Sequence, residues 1–227
     1  MAGTDYTSGV LKARPERIAG PGAAKPGRQP LGLDVRRDGA VLVPDGLDPA
    51  VPAPLIVALH GAGGIASHII DLVAPQAQQH GIIVLAPESR GLTWDVIRGG
   101  YGRDVAFIDR ALATVFGIHP IDPARIAVAG FSDGASYALS LGVVNGELFD
   151  HILAFSPGFM VPTKTADTPR IFVSHGTQDE VLPIDPCSRR IVPSLRRAGY
   201  DVDYREFDGG HVVPPGMVDR AVARFLG

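Results

Sequence analysis

Five short apolar runs recur along the chain, at residues 55–59, 82–86, 126–129, 152–155 and 171–174. Runs this short, without polar alternation, suit strands buried on both faces of a parallel sheet. Between them lie stretches with helical spacing. The clearest is residues 104–116, where Val105, Ile108, Ala111, Leu112 and Val115 fall on one face. Residues 133–144, 187–198 and 218–225 are further candidate helices. Strand–helix alternation of this kind predicts an α/β fold, a mostly parallel sheet with helices on both faces. Residues 31–36 and 40–43, separated by Arg37-Asp38-Gly39, read as a hairpin, because Asp-Gly is a strong turn signal.

Glycine and proline punctuate these segments and crowd one region, residues 20–30, which can propagate neither a helix nor a central strand. Residues 1–30 therefore read as an N-terminal arm, and residues 31–227 as one domain, with no long insertion between its last strand-like runs that could form a large lid. A chain of 227 residues, 45% hydrophobic, can bury one sizeable core. Its net charge of −3 and lack of any Lys/Arg block argue against nucleic acid or an anionic membrane as partner. The single Cys187 excludes an intrachain disulfide and a Cys-based zinc site. No apolar run approaches the roughly 20 residues of a membrane span. The N-terminal residues lack the basic start and apolar stretch of a secretory signal, so a cytoplasmic location is expected. Oligomeric state is not legible.

The sharpest chemical signal is Gly130-Phe131-Ser132-Asp133-Gly134, which follows an apolar strand and precedes a helical pattern. A Gly-x-Ser-x-Gly sequence in that context presents a serine hydroxyl on a tight strand-to-helix turn. The helix that follows aims its N-terminal N–H groups at the place where an oxyanion would form. A hydroxyl is a weak nucleophile and needs a base oriented by a third group. Downstream lie His175-Gly176-Thr177-Gln178-Asp179, after the run at 171–174, and Gly209-Gly210-His211, after the alternating segment 202–207. The order serine, acid, histidine is the one this strand–turn–helix architecture requires. Candidate acids are Asp179, Glu180, Asp185, Asp203 and Asp208. Asp208 belongs to the strand end that delivers His211, Asp203 lies within segment 202–207, and Asp185 beside Pro186 suits a helix N-terminus. Asp179, on a loop five residues after Ser174, is the expected orienting acid.

A second oxyanion donor is expected from His60-Gly61-Ala62-Gly63-Gly64, directly after the run at 55–59. The N–H groups of Ala62 and Asp133 are the candidate donors. The same loop lacks the last glycine of a dinucleotide fingerprint and the Gly-Lys-Ser/Thr of a phosphate loop. No His/Asp/Glu cluster has metal-ligand spacing. No cofactor is expected.

Together, His60-Gly61-Ala62-Gly63-Gly64, Gly130-Phe131-Ser132-Asp133-Gly134, His175-Gly176-x-x-Asp179 with Pro183, and Gly210-His211 resemble the α/β-hydrolase superfamily. Within it, residues 31–227 are similar to small serine esterases of the phospholipase/carboxylesterase and dienelactone-hydrolase-like types. That resemblance implies Ser132 as nucleophile, His211 as general base, Asp179 as orienting acid, and Ala62 and Asp133 as oxyanion donors. Dienelactone hydrolases use a cysteine nucleophile, so Ser132 places the chain on the esterase side.

Trp94, Phe159, Met160 and Leu182 lie past strand ends on the same sheet edge. They read either as the lining of an apolar acyl or aryl pocket or as loop packing. His60 and His175 read as loop-shaping side chains. The expected activity is hydrolysis of small or lipid-like carboxylic esters through an acyl-enzyme. Rival readings are a thioesterase, a lysophospholipase, a polyester depolymerase or a peptidase on the same site. A non-catalytic α/β-hydrolase relative that serves as a binding module is a further one.

Overall fold

A computed structural model describes residues 5–15, 25–161 and 167–227. The chain runs through strands β1 (Gly27–Pro30), β2 (Gly39–Val43) and β3 (Ala53–Leu59), helix α1 (Ala66–His80), and β4 (Ile83–Pro87). Then follow α2 (Arg103–Ile118), β5 (Ile121–Phe131), α3 (Asp133–Val144), β6 (His151–Phe155) and β7 (Arg170–Gly176). The last elements are α4 (Ser188–Arg197), β8 (Val202–Phe207) and α5 (Pro215–Leu226). One eight-stranded sheet has the order β1-β2-β4-β3-β5-β6-β7-β8. Pairing is antiparallel from β1 through β2 to β4 and parallel from there on. The expected α/β class with a mostly parallel sheet is the architecture observed.

Every residue of β3 is buried, as are those of β4 and β6, because helices cover both faces of the sheet. Successive side chains of a strand point to opposite faces. Leu55, Val57 and Leu59 accordingly enter the core layer shared with α2, α3 and α4. Ile56 and Ala58 enter the layer shared with α1 and α5. All parallel strands release their chain at one edge, so the loops after β3, β4, β5, β7 and β8 gather there.

Two expectations need correction. The hairpin pairs β1, at Gly27–Pro30, with β2, so the sheet begins before residue 31. Residues 31–38 form its connection, in which the Asp38 carboxylate accepts from the N–H groups of Gly32, Leu33 and Asp34. β1 is an edge strand, where a proline is tolerated. The N-terminal arm, for its part, packs into the domain over residues 5–15. Leu11 is fully buried in the core, and Asn145 holds its N–H and the Gly9 carbonyl. Helix α1 was not among the expected helices; Pro75 inside it broke the pattern.

Candidate active site

Ser132 joins β5 to α3 with φ +59° and ψ −123°. That region is sparsely populated for residues with a Cβ and costs about 1–3 kcal/mol. The flanking glycines make it accessible. A Cβ on Gly130 would lie 2.1 Å from the Gly134 carbonyl oxygen, and one on Gly134 2.1 Å from that of Leu59. The turn is further pinned by the Ser132 N–H, which donates to the Phe155 carbonyl at 2.9 Å.

Asp179 follows β7 and His211 follows β8, and these strands are parallel neighbours. The two loops are stitched together by Thr177 N–H to Phe207 O and Gln178 N–H to Gly209 O, both 2.9 Å. His211 Nδ1 lies 2.6 Å from Asp179 Oδ2. A carboxylate only accepts, so Nδ1 carries the proton and Nε2 is left as an acceptor. The His211 ring rests on Phe131, the residue before Ser132, at 4.7 Å between centroids. The loops that carry the three residues singled out in the sequence thus lie at one sheet edge, with His211 against the residue before Ser132.

The Asp179 carboxylate is almost wholly buried, yet its acceptor sites are filled. Oδ1 accepts from the N–H groups of Val181 and Leu182, at 3.0 and 2.8 Å. Oδ2 also lies 3.2 Å from His175 Nε2. Burial pushes this carboxyl up, but the bonds from His211 and Leu182 and the nearness of the two imidazoles outweigh it. The net shift is below the usual carboxylate value. His175 is itself fully buried, its Nε2–H facing the Leu182 carbonyl at 2.8 Å and its Nδ1 the Ser188 hydroxyl at 2.7 Å. Burial lowers its pKa, so it braces the acid in the neutral form. The expected loop-shaping role has this geometry.

The loop after β3 approaches Ser132 closely. A Cβ on Gly61 would lie 3.3 Å from the serine Cβ. His60 anchors the loop: its Nε2 accepts from Ser89 N–H at 3.1 Å, and its Nδ1 faces Gly61 O at 2.7 Å. Gly63 N–H donates to Leu92 O at 2.6 Å, and Arg37 Nη2 donates to Gly64 O at 3.0 Å. Ala62 stands exposed at the loop tip. Asp133 is the first residue of α3, where no carbonyl one turn earlier can take its N–H. Its carboxylate accepts from the Thr93 hydroxyl at 2.6 Å. Sequence reasoning missed Arg37, which no local signal links to a loop some 25 residues on.

The expected pocket residues are placed differently. Trp94 is fully buried: its indole N–H donates to His60 O at 2.8 Å and its ring stacks on Tyr137 at 5.0 Å. It supports the site from the core and lines no opening. Phe159 and Met160 are half-buried against the core, and Leu182 is half-buried beside Gly158. The cavity next to His211, of about 330 Å3, is lined instead by Phe131, Val212, Val213 and the α1 residues Ile69 and Leu72, with His68 at its edge. Reading α1 would have exposed Ile69 and Leu72, and Val212 and Val213 adjoin His211 in sequence. Among the described residues, no three His, Cys, Asp or Glu side chains converge as a metal site, and no helix is long and apolar enough to cross a membrane.

Residues 105–226 match the phospholipase/carboxylesterase family profile, a span of just over half the chain. A feruloyl esterase C from Emericella nidulans is 30% identical over 157 residues, covering 66% of this chain and 57% of that protein. An acyl-protein thioesterase 1 from Gibberella zeae is 31% identical over 116 residues, covering 45% of this chain and 48% of that one. The chain therefore spans only about half the length of these curated relatives. Among solved structures, esterase PE8 superposes with a TM-score of 0.68 at 25% identity, covering 85% of this chain and 99% of that chain.

Proposed function

Because this chain belongs to the phospholipase/carboxylesterase family, we propose that it hydrolyses carboxylic esters through an acyl-enzyme on Ser132. The observation that carries this reading is the His211–Asp179 pair at 2.6 Å, its ring resting on the residue before a strained, glycine-flanked serine. Ser132 Oγ attacks the ester carbonyl carbon while His211 Nε2 takes the hydroxyl proton. The N–H groups of Ala62 and Asp133 hold the oxyanion. The C–O bond to the alcohol then breaks, and His211 delivers the proton to the departing oxygen. Water, deprotonated by His211, attacks the acyl carbon, and the acid leaves as Ser132 regains its proton. Asp179 keeps Nδ1 protonated and stabilises the imidazolium.

A fluorophosphonate probe should label the wild-type protein at Ser132 only, and Ser132→Ala should lose both labelling and ester turnover, by about 10⁴-fold or more. Turnover of Ser132→Ala at the wild-type rate would end the reading. A folded protein that neither reacts with the probe nor cleaves any ester would be a binding module instead. Matched oxygen and thiol esters of one acyl group separate the esterase from the thioesterase.

A further inference from the structure

Two openings of different chemistry adjoin the neighbours of Ser132. On the His211 side lies the apolar cavity. On the Asp133 side a cleft of about 520 Å3 runs along residues 90–104. Thr93 links the cleft to the site: it lines the cleft, and its hydroxyl donates to Asp133, the residue after Ser132. Three arginines line this cleft, Arg90, Arg98 and Arg103. Arg90 serves the fold, since it donates to Asp34 and to the Glu88 carbonyl and covers the Phe107 ring at 3.6 Å. Arg98 and Arg103 are exposed, and among the described residues neither has a hydrogen-bond or ion-pair partner. Arg98 lies over Gly91, its Nη1 3.4 Å from where a Cβ on that glycine would stand.

The carboxylates in the same wall do not answer these cations. Asp104 accepts from the N–H groups of Arg90 and Asp95, the latter at 2.6 Å. Asp95 accepts from Asp104 N–H at 2.8 Å and from the Tyr137 hydroxyl at 2.9 Å. Burial pushes the Asp104 carboxyl up to about 6, which further weakens its charge on the acid side of neutrality. A chain of net charge −3 thus leaves two guanidinium groups, among the described residues, without an ion-pair partner in a cleft that reaches the residue after Ser132 through Thr93.

We infer that this cleft is a subsite for a carboxylate on the substrate, so that the preferred esters are hemiesters of diacids or acylated hydroxy acids. A guanidinium fork matches a planar carboxylate in shape and charge. The inference rests on the ester-hydrolase reading and narrows its substrate class.

Two matched pairs test it: monomethyl against dimethyl adipate, and 4-acetoxybenzoate against its methyl ester. In the first pair the carboxylate is on the acyl half, in the second on the alcohol half. The variant Arg98→Gln/Arg103→Gln should raise KM for at least one anionic ester about tenfold, while its neutral partner stays within about twofold. About 0.5 M NaCl should remove most of the wild-type preference, since an open cleft is screened. If KM for both anionic esters stays within about twofold, or anionic and neutral values rise together, the subsite is wrong. Ser132-dependent cleavage of the anionic esters with no arginine dependence would remove the subsite and leave the hydrolase reading intact. Should no ester be cleaved, calorimetric titration with adipate still decides: the double variant must bind it about tenfold more weakly, and equal binding overturns the subsite.

Discussion

Ser132 keeps a conformation that side chains avoid, and the groups around it explain why each is needed. Asp179 alone among the downstream acids is buried and doubly held by backbone N–H groups. Asp208 is exposed and accepts from the Gln178 amide, and Asp185 is exposed and pairs with Arg189. Asp179→Asn should therefore cut kcat by about 10³- to 10⁴-fold, through loss of the oriented His211 tautomer. Asp208→Asn should cost less than about tenfold, and a larger loss than for Asp179→Asn at equal folded content would redraw the triad. Buried titratable groups in and beyond the site set a pH response. Burial depresses the pKa of His60, His119 and His175, so below about pH 6.5 the unfolded chain takes up protons that the folded one refuses. Their contribution to stability is present above that pH and is lost as pH falls. Asp179, also depressed, adds a second loss below about pH 4. Asp104, raised to about 6, acts in the opposite sense, being stabilising below about pH 4 and losing that contribution as pH rises through 6. Three imidazoles against one carboxyl predict a urea midpoint that declines from pH 7 to pH 4; a flat or rising midpoint would contradict this balance.

At the scale of elements, the β5–α3 turn is an all-or-none construction. The strand, the helix and β3 approach so closely that a methyl group at Gly134 has no space to enter. Gly134→Ala should destabilise the protein by more than about 3 kcal/mol or prevent folding, because backbone rather than a flexible side chain must move. Chemical denaturation of this variant beside Gly216→Ala, where a Cβ meets nothing, provides the check. Helix α1 shows the opposite relation of pattern to structure. Pro75 carries no N–H for a helical bond and should interrupt the helix, yet Ala66, Ile69, Ile70, Val73 and Ala77 bury one continuous face. Burial of that face overrides the local penalty, which is why the element escaped a reading by pattern.

Over the whole molecule, the N-terminal segment is part of the core. Leu11 is fully buried, and Asp109 in α2 accepts from the Tyr6 hydroxyl and from the N–H groups of Lys12 and Ala13. Leu11→Ala should cost roughly 2–5 kcal/mol, as for other buried leucines. A denaturation midpoint equal to wild type would mean that residues 5–15 contribute nothing to the folded state. The cavity beside His211, of about 330 Å3, lies at the small end of ligand sites, roughly 300–1,000 Å3. Short or aromatic acyl esters should outpace long-chain triglycerides, and a series of acyl lengths in one ester type measures this. A clear preference for emulsified long-chain lipid would refute it.

Sequence alone determined the α/β class, the order of the parallel strands along the chain, and the three loops that carry Ser132, Asp179 and His211. Those features are local: apolar runs, helical spacing and glycine-flanked motifs each act within a few residues of their own position. The first strand at Gly27–Pro30, the buried Leu11 and the Arg37 tether to the loop after β3 were decided only by tertiary structure. So was the pocket. Trp94, the largest apolar side chain on the expected edge, turned inward because its indole N–H found the His60 carbonyl, and the lining passed to α1. Which side of a loop a side chain occupies depends on partners far away in sequence, and no spacing along the chain records them.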